Sequence, residues 1–205
     1  MALVYIEYIS RRPGVSTEAF YFATGRGQAG WAGEYAEDVM LLNIGRTFRT
    51  GPEPEYMTVW YTPEGGLARI GDWDRIFKSG EAADFEEPFK LAARIEKAGC
   101  YEPLLEPVAA AKGPFYAEYV DFAPGATRDD ARALYEERRA RHGELELCLL
   151  ADRIGKLGPE PRCLAVWRAP GFGALEAIAR ELDGVESPIR LVEAGLYEAI
   201  GEEIL

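Results

Sequence analysis

The sequence predicts an α+β protein made of two successive β-α-β-β-α-β units. Three observations carry this prediction: blocks of residues that recur in order, period-two alternation inside those blocks, and an even division of charge. Tyr5-Ile6-Glu7-Tyr8 returns as Tyr116-Ala117-Glu118-Tyr119, and Pro13-Gly14 returns as Pro124-Gly125, both at an offset of 111. Gly51-Pro52-Glu53-Pro54 returns as Gly158-Pro159-Glu160-Pro161 at an offset of 107, followed by Val59-Trp60 as Val166-Trp167. Gly99, Tyr101 and Glu102 return as Gly195, Tyr197 and Glu198 at an offset of 96. Order is kept while the offset shrinks, as expected of a tandem duplication with loop deletions. Residues 1–107 carry 11 basic and 17 acidic side chains, and residues 108–205 carry 12 and 18, so each unit holds half of the net charge of −12. The units are therefore placed at 1–107 and 108–205, joined by the weakly patterned stretch 106–113.

Each element follows from local signals. Residues 2–9 alternate and are rich in β-branched and aromatic types, which predicts a strand. Pro13-Gly14 makes a turn, and Ser16 or Thr17 caps the helix that follows. In the second unit Thr127 caps a helix over about 128–142, with Ala131, Leu134, Tyr135 and Arg138 at helical spacing. Strands are predicted at 38–46 and 145–153, and after the Gly-Pro-Glu-Pro turns at 55–61 and 162–168. Helices are predicted at 66–78, 84–97, 172–182 and 188–194, and closing strands at 99–105 and 195–200.

A β-α-β-β-α-β unit of about 100 residues is the ferredoxin-like arrangement, whose sheet carries helices on one face only. The other face must be buried. Two copies satisfy this if their sheets face each other as a barrel.

Composition narrows the partners. The acidic balance, with a pI near 4.7, argues against nucleic acid and anionic membrane surfaces, which need a basic face. The three cysteines, Cys100, Cys148 and Cys163, form no CxxC pair and read as buried thiols of a cytoplasmic protein. The N-terminus lacks a signal-peptide pattern, and no apolar run is long enough to span a bilayer. His142 is the only histidine, which excludes sites with several imidazole ligands, and no metal-ligand cluster is expected. Gly25-Arg26-Gly27-Gln28-Ala29-Gly30 matches GxGxxG but follows a helix, so it reads as a glycine loop rather than a dinucleotide site. The matching stretch of the second unit is arginine-rich and lacks these glycines. The two units differ most there, which leaves one half open to a ligand.

The Tyr-x-Glu-Tyr opening strand, the Pro-Gly turn, the Val-Trp strand end, Trp73-Asp74-Arg75-Ile76-Phe77 and Tyr101-Glu102-Pro103-Leu104 together resemble the dimeric α+β barrel superfamily. Within it the chain resembles NIPSNAP-like proteins, with antibiotic-biosynthesis monooxygenases as relatives. The resemblance implies a barrel formed as an intramolecular pseudo-dimer, with further homodimerisation of the chain left open. It also implies a small-molecule ligand and no resident cofactor.

Strand alternation sorts side chains onto two faces. Val4, Ile6 and Tyr8, with Phe115, Ala117 and Tyr119, suit the helices. Tyr5, Glu7, Tyr116 and Glu118 are then expected in the barrel lumen, with Trp60 and Trp167 from the third strands and Arg46 and Arg153 from the second. Such a lumen is an aromatic small-molecule pocket. Its carboxylates, with Tyr5 and Tyr116, are candidates to remove a proton in a cofactor-free monooxygenase reaction. The plain structural reading pairs Glu7 and Glu118 with Arg46 and Arg153 at a barrel seam and leaves both tryptophans as core filler. His142 reads as a solvated helix end; the sharper reading makes it a ligand-binding or proton-transfer residue, or an axial haem ligand. The competing functions are a non-catalytic binding or stress protein and, further off, a haem protein.

Overall fold

The computed structural model describes residues 1–34, 37–110, 112–182 and 187–200, with the side chains of 26–29, 32–34 and 85 excluded. The first half runs β1 (Leu3–Arg11), α1 (Thr17–Glu34), β2 (Val39–Arg46), β3 (Tyr56–Thr62), α2 (Ala68–Ser79), α3 (Ala83–Ala92) and β4 (Ala93–Pro103). The second runs β5 (Pro114–Phe122), α4 (Arg128–Arg141), β6 (Glu146–Arg153), β7 (Cys163–Arg168), α5 (Leu175–Glu181) and β8 (Ile189–Ala199). All pairings are antiparallel and close into one barrel in the order β1-β3-β2-β8-β5-β7-β6-β4. The protein is thus an α+β barrel of two β-α-β-β-α-β halves.

The halves meet along two short ladders, β2 with β8 and β4 with β6. Each seam is sealed by a Gly-Pro-Glu-Pro turn laid against the last strand of the other half. Gly51 sits against Gly195 and Gly158 against Gly99, so closely that a Cβ on Gly51 would come within 2.7 Å of the Gly195 Cα. Both turn glycines also have positive φ, 82° and 150°, so glycine is required twice over. The linker packs against the barrel. Ala110 packs into the interior and its N–H donates to the Leu41 carbonyl at 2.9 Å, while the Val108 N–H donates to that of Cys148 at 2.9 Å.

The interior is one apolar cluster fed by all eight strands, including Val4, Ile6, Tyr8, Ile44, Val59, Phe115, Tyr119, Val166 and Tyr197. Hydroxyls buried there pair with each other, as Tyr119 and Tyr197 do at 3.0 Å. The outer faces bury against helices. Tyr116, Trp167 and Ala165 pack with α4 and α5, and Trp60 packs with α1 and α2.

This reverses the predicted faces. The set of Val4, Ile6, Tyr8, Phe115, Ala117 and Tyr119 fills the barrel, and Tyr5, Glu7, Trp60, Tyr116, Glu118 and Trp167 lie under the helices. Period two separates the faces of a strand but cannot say which is inner when both are buried. Three element boundaries also differ. Residues 93–97 and 189–194, within stretches expected to be helical (84–97 and 188–194), form the first parts of β4 and β8. There Arg94 pairs with Ser10 and Arg190 with Asp121, so ladders to the long β1 and β5 override local helix propensity. The expected glycine loop at 25–30 lies inside α1.

Candidate functional site

The site is built on the outer face of the first half. Tyr5 and Glu7 point outward from β1, and Tyr5 stands opposite Trp60 in the β1–β3 ladder. The Trp60 indole N–H donates to Glu7 Oε2 at 3.2 Å. The helices do not close down on this face. Between sheet and helices lies a cavity of about 470 Å³, lined by Tyr5, Glu7, Trp31, Trp60, Trp73 and Phe77 and, toward α3 and β4, by Phe89 and Ile95. Charged side chains at its margin are Arg12, Asp74, Glu86, Lys90 and Arg94.

A buried aspartate fixes the aromatic wall. Asp38 Oδ2 accepts the indole N–H of Trp73 at 2.8 Å and that of Trp31 at 3.1 Å. Arg69 forms a two-pronged pair with the same carboxylate, Nε and Nη2 both at 3.0 Å. One carboxylate thus holds two indoles from two helices by their polar edges. Trp31 stacks on Phe77 at 5.0 Å between centroids, and Tyr5 lies 5.3 Å from Trp73.

Glu7 is half-buried, and its exposed side is reached from the cavity. Burial pushes its carboxyl up to about 7, against a smaller downward pull from the Trp60 hydrogen bond. Burial, then the neighbouring Glu7 charge and Cys100, push the Tyr5 phenol well above its usual value. Tyr5 therefore stays protonated and acts as a donor. Of this pair only Glu7 can act as a base near neutrality.

The second half places the same residues and spends them differently. Tyr116 stands opposite Trp167 in the β5–β7 ladder, and the Trp167 indole donates to Glu118 Oε2 at 3.1 Å. Here α4 closes down. A capping box between Thr127 and Asp130 starts this helix, and Ala131, Tyr135 and Arg138 form its buried face. Arg138 is 0% exposed and meets Glu118 at 2.7 and 2.8 Å. The Tyr135 hydroxyl donates to Glu118 at 2.8 Å. The guanidinium also lies 4.9 Å from the Tyr135 ring centroid and 5.4 Å from that of Trp167. Burial alone would discourage its charge, but the bonds and charge of Glu118 and Tyr135 hold it above its usual value. Glu118, Tyr116 and Trp167 are sealed into this core.

The arginines expected beside the glutamates lie elsewhere. Arg46 donates to the Gly51 carbonyl at 2.8 Å and to Glu53 at 2.6 Å. Arg153 does the same to Gly158 at 3.0 Å and Glu160 at 2.7 Å. Each clamps its own Gly-Pro-Glu-Pro turn, and neither meets the cavity. His142 ends α4 and lies 3.2 Å from Glu181, also away from the cavity. Of the predicted site residues, the structure brings Tyr5, Glu7 and Trp60 to the cavity. The sequence reading missed Asp38, Trp31 and the functional placement of Trp73 and Phe77. Trp73 and Phe77 sit at i and i+4 on one helix, a spacing that could have marked a shared face.

Among the described residues there is no cluster of potential metal ligands and no helix long and apolar enough to cross a membrane. No protein-family model matches the sequence, and no curated protein matches it. Solved structures do match in fold. A heme-binding protein from Thermus thermophilus aligns over 96% of this chain and 90% of its own, with a TM-score of 0.62 and 10% identity. A candidate monooxygenase from Lactobacillus acidophilus aligns over 98% and 96%, with a TM-score of 0.61 and 12% identity. A mutant chlorite dismutase from Candidatus Nitrospira defluvii aligns over 99% and 93%, with a TM-score of 0.60 and 7% identity. At such identities the likeness is one of fold.

Proposed function

We propose that the protein binds a small aromatic or hydrophobic molecule in the first-half pocket, with Glu7 exchanging a proton with it. The observation that carries this is an ionisable carboxyl at the base of an aromatic cavity, at a position where the other half has an arginine-sealed carboxylate. The wall of Trp31, Trp60, Trp73 and Phe77 offers flat apolar surface and excludes water. Glu7 takes a proton from the ligand, and the Tyr5 hydroxyl is placed to donate to the anion that develops. The pocket lies under the helices and not in the barrel lumen.

Titrating the protein with 2-naphthol while following tryptophan fluorescence tests this. Saturable quenching at one site is expected, abolished by Ile70→Trp, which puts an indole into the cavity that Ile70 lines from α2. Absence of any saturable change overturns the reading.

A cofactor-free monooxygenase is the second reading, favoured by the fold shared with the candidate monooxygenase. Removal of a C–H proton leaves a carbanion that gives its electrons to O₂. Protonation yields a hydroperoxide, and loss of water leaves a carbonyl. Oxygen uptake that depends on substrate and is lost in Glu7→Gln is the expected signature; binding without uptake favours a non-catalytic binding protein.

The fold shared with a heme-binding protein raises haem, and the residues here do not fit a histidine-ligated one. The single histidine pairs with Glu181 outside the pocket, and the pocket lining contains no histidine, methionine or cysteine.

A further inference from the structure

The second half contains a filled version of the first half's pocket, and the filling is a cation. Arg138 supplies a planar guanidinium that bonds to both oxygens of Glu118 and lies near the face of Trp167, whose indole donates to the same carboxylate. The first half repeats the carboxylate and the indole, Glu7 and Trp60, at nearly the same separation. Among the described residues, no cation pairs with Glu7. At the offset of 111 that aligns the two helices, Arg138 corresponds to Gly27 and Tyr135 to Thr24. Thr24 turns its hydroxyl back to the Phe20 carbonyl at 2.9 Å and offers Glu7 nothing. Among the described residues, the polar partner of Glu7 is the Trp60 indole.

We infer that the first-half pocket takes an organic cation, a guanidinium, amidinium or protonated amine on an apolar body, whose charged head pairs with Glu7 as Arg138 pairs with Glu118. This rests on the reading that the pocket binds a small aromatic molecule and names its ligand class; toward such a ligand Glu7 acts as a counter-ion in place of a base. Three features agree with it. The wall is electron-rich, with Trp31, Trp60, Trp73 and Tyr5 presented around the carboxylate, a setting that attracts cations. The margin cations are largely committed, Lys90 to Glu86 at 2.5 Å and Arg94 to Glu96 at 2.5 Å, and Arg12 donates to the Ala93 carbonyl at 3.0 Å. The net charge of −12 favours encounter with a cation over an anion.

Binding is then coupled to protons. A cation selects ionised Glu7, so affinity rises with pH through the range in which Glu7 ionises, and a proton is released on binding below it. The other titratable or charged groups facing the cavity are Tyr5, Arg12, Asp74, Lys90 with Glu86, and Arg94. Among the described residues none is a second carboxyl set between the indoles without an ion pair.

The test compares 2-naphthamidine with its neutral isostere 2-naphthamide by calorimetry on the full chain. At pH 8 the amidine is expected to bind at least about tenfold more tightly, the scale of one charge-assisted hydrogen bond. That advantage should vanish at pH 5 and in Glu7→Gln. At pH 6.5, titrations in buffers of different ionisation enthalpy should show proton release. Equal binding of the two probes would overturn the cation inference and leave the pocket reading standing. Failure of both probes to bind would overturn both. An amidine advantage that survives in Glu7→Gln would place the cation elsewhere and also sink the inference.

Discussion

Glu7 and Glu118 occupy matched strands, accept matched indole hydrogen bonds and have opposite fates. Glu118 is locked by a buried arginine and a tyrosine from α4. Glu7 faces a cavity with one indole as its polar partner among the described residues. The barrel interior and both seams are alike in the two halves, so the difference comes from one helix. Where α4 sends Arg138 inward the carboxylate is structure; Glu7, with no arginine on it among the described residues, is available. The same strand pattern therefore serves stability in one half and, on our reading, ligand chemistry in the other.

The largest effect is expected from cutting the halves apart. Residues 1–107 alone would expose the barrel face of one sheet and lose both seam ladders, so they should not fold as a monomer. A cooperative melt and sharp NMR dispersion from a monomeric 1–107 fragment would contradict this.

Next is Arg138→Met. It leaves Glu118 buried without its counter-charge, which costs about 3–5 kcal/mol. Chemical denaturation should show that loss, and adding Glu118→Gln should recover most of it. Arg138→Met having no effect would mean that the pair does not hold the second half together.

Glu7→Gln is expected to act in the opposite direction. The folded-state carboxyl titrates near 7 and the unfolded one near 4.5. Between these values the native state holds the extra proton, so stability falls as pH rises from about 4.5 to 7 and then levels off. The total is about 3 kcal/mol. Glu7→Gln should therefore match the parent below pH 4.5 and exceed it by up to that amount at pH 8. A parent whose stability does not fall across this window, relative to Glu7→Gln, would show that Glu7 is not buried as described.

The sequence made the strands legible because their repeats and alternation report directly on ladder pairing. It also grouped Tyr5, Glu7 and Trp60 correctly, since residues of one parity on neighbouring strands must share a face. It could not orient that face, because both sides of these strands are buried. The lumen takes the uncharged set, aliphatic residues with Phe115 and tyrosines such as Tyr119 and Tyr197 whose hydroxyls satisfy each other. The aromatic and acidic set goes where helices can reach its polar atoms. Asp38 was illegible for another reason. Its partners Trp31, Arg69 and Trp73 come from two helices separated in the chain by β2 and β3, and no local spacing announces that meeting.

The smallest effect tests where the halves are the same. Arg46 and Arg153 each clamp a turn through two carbonyls and one exposed glutamate, with side chains 5% and 8% exposed. The ion pairs to Glu53 and Glu160 add little, because those glutamates are 75% exposed. The carbonyl bonds carry the clamp. Arg46→Lys and Arg153→Lys should therefore each cost about 1–2 kcal/mol, and by nearly equal amounts. Neither change should shift the pH at which ligand binding rises, since neither arginine meets the cavity. Unequal losses measured by denaturant melts would mean that the asymmetry of α1 and α4 reaches the seams. A shifted binding profile in Arg46→Lys alone would tie the first seam to the pocket, and the division between a shared frame and one specialised half would have to be withdrawn.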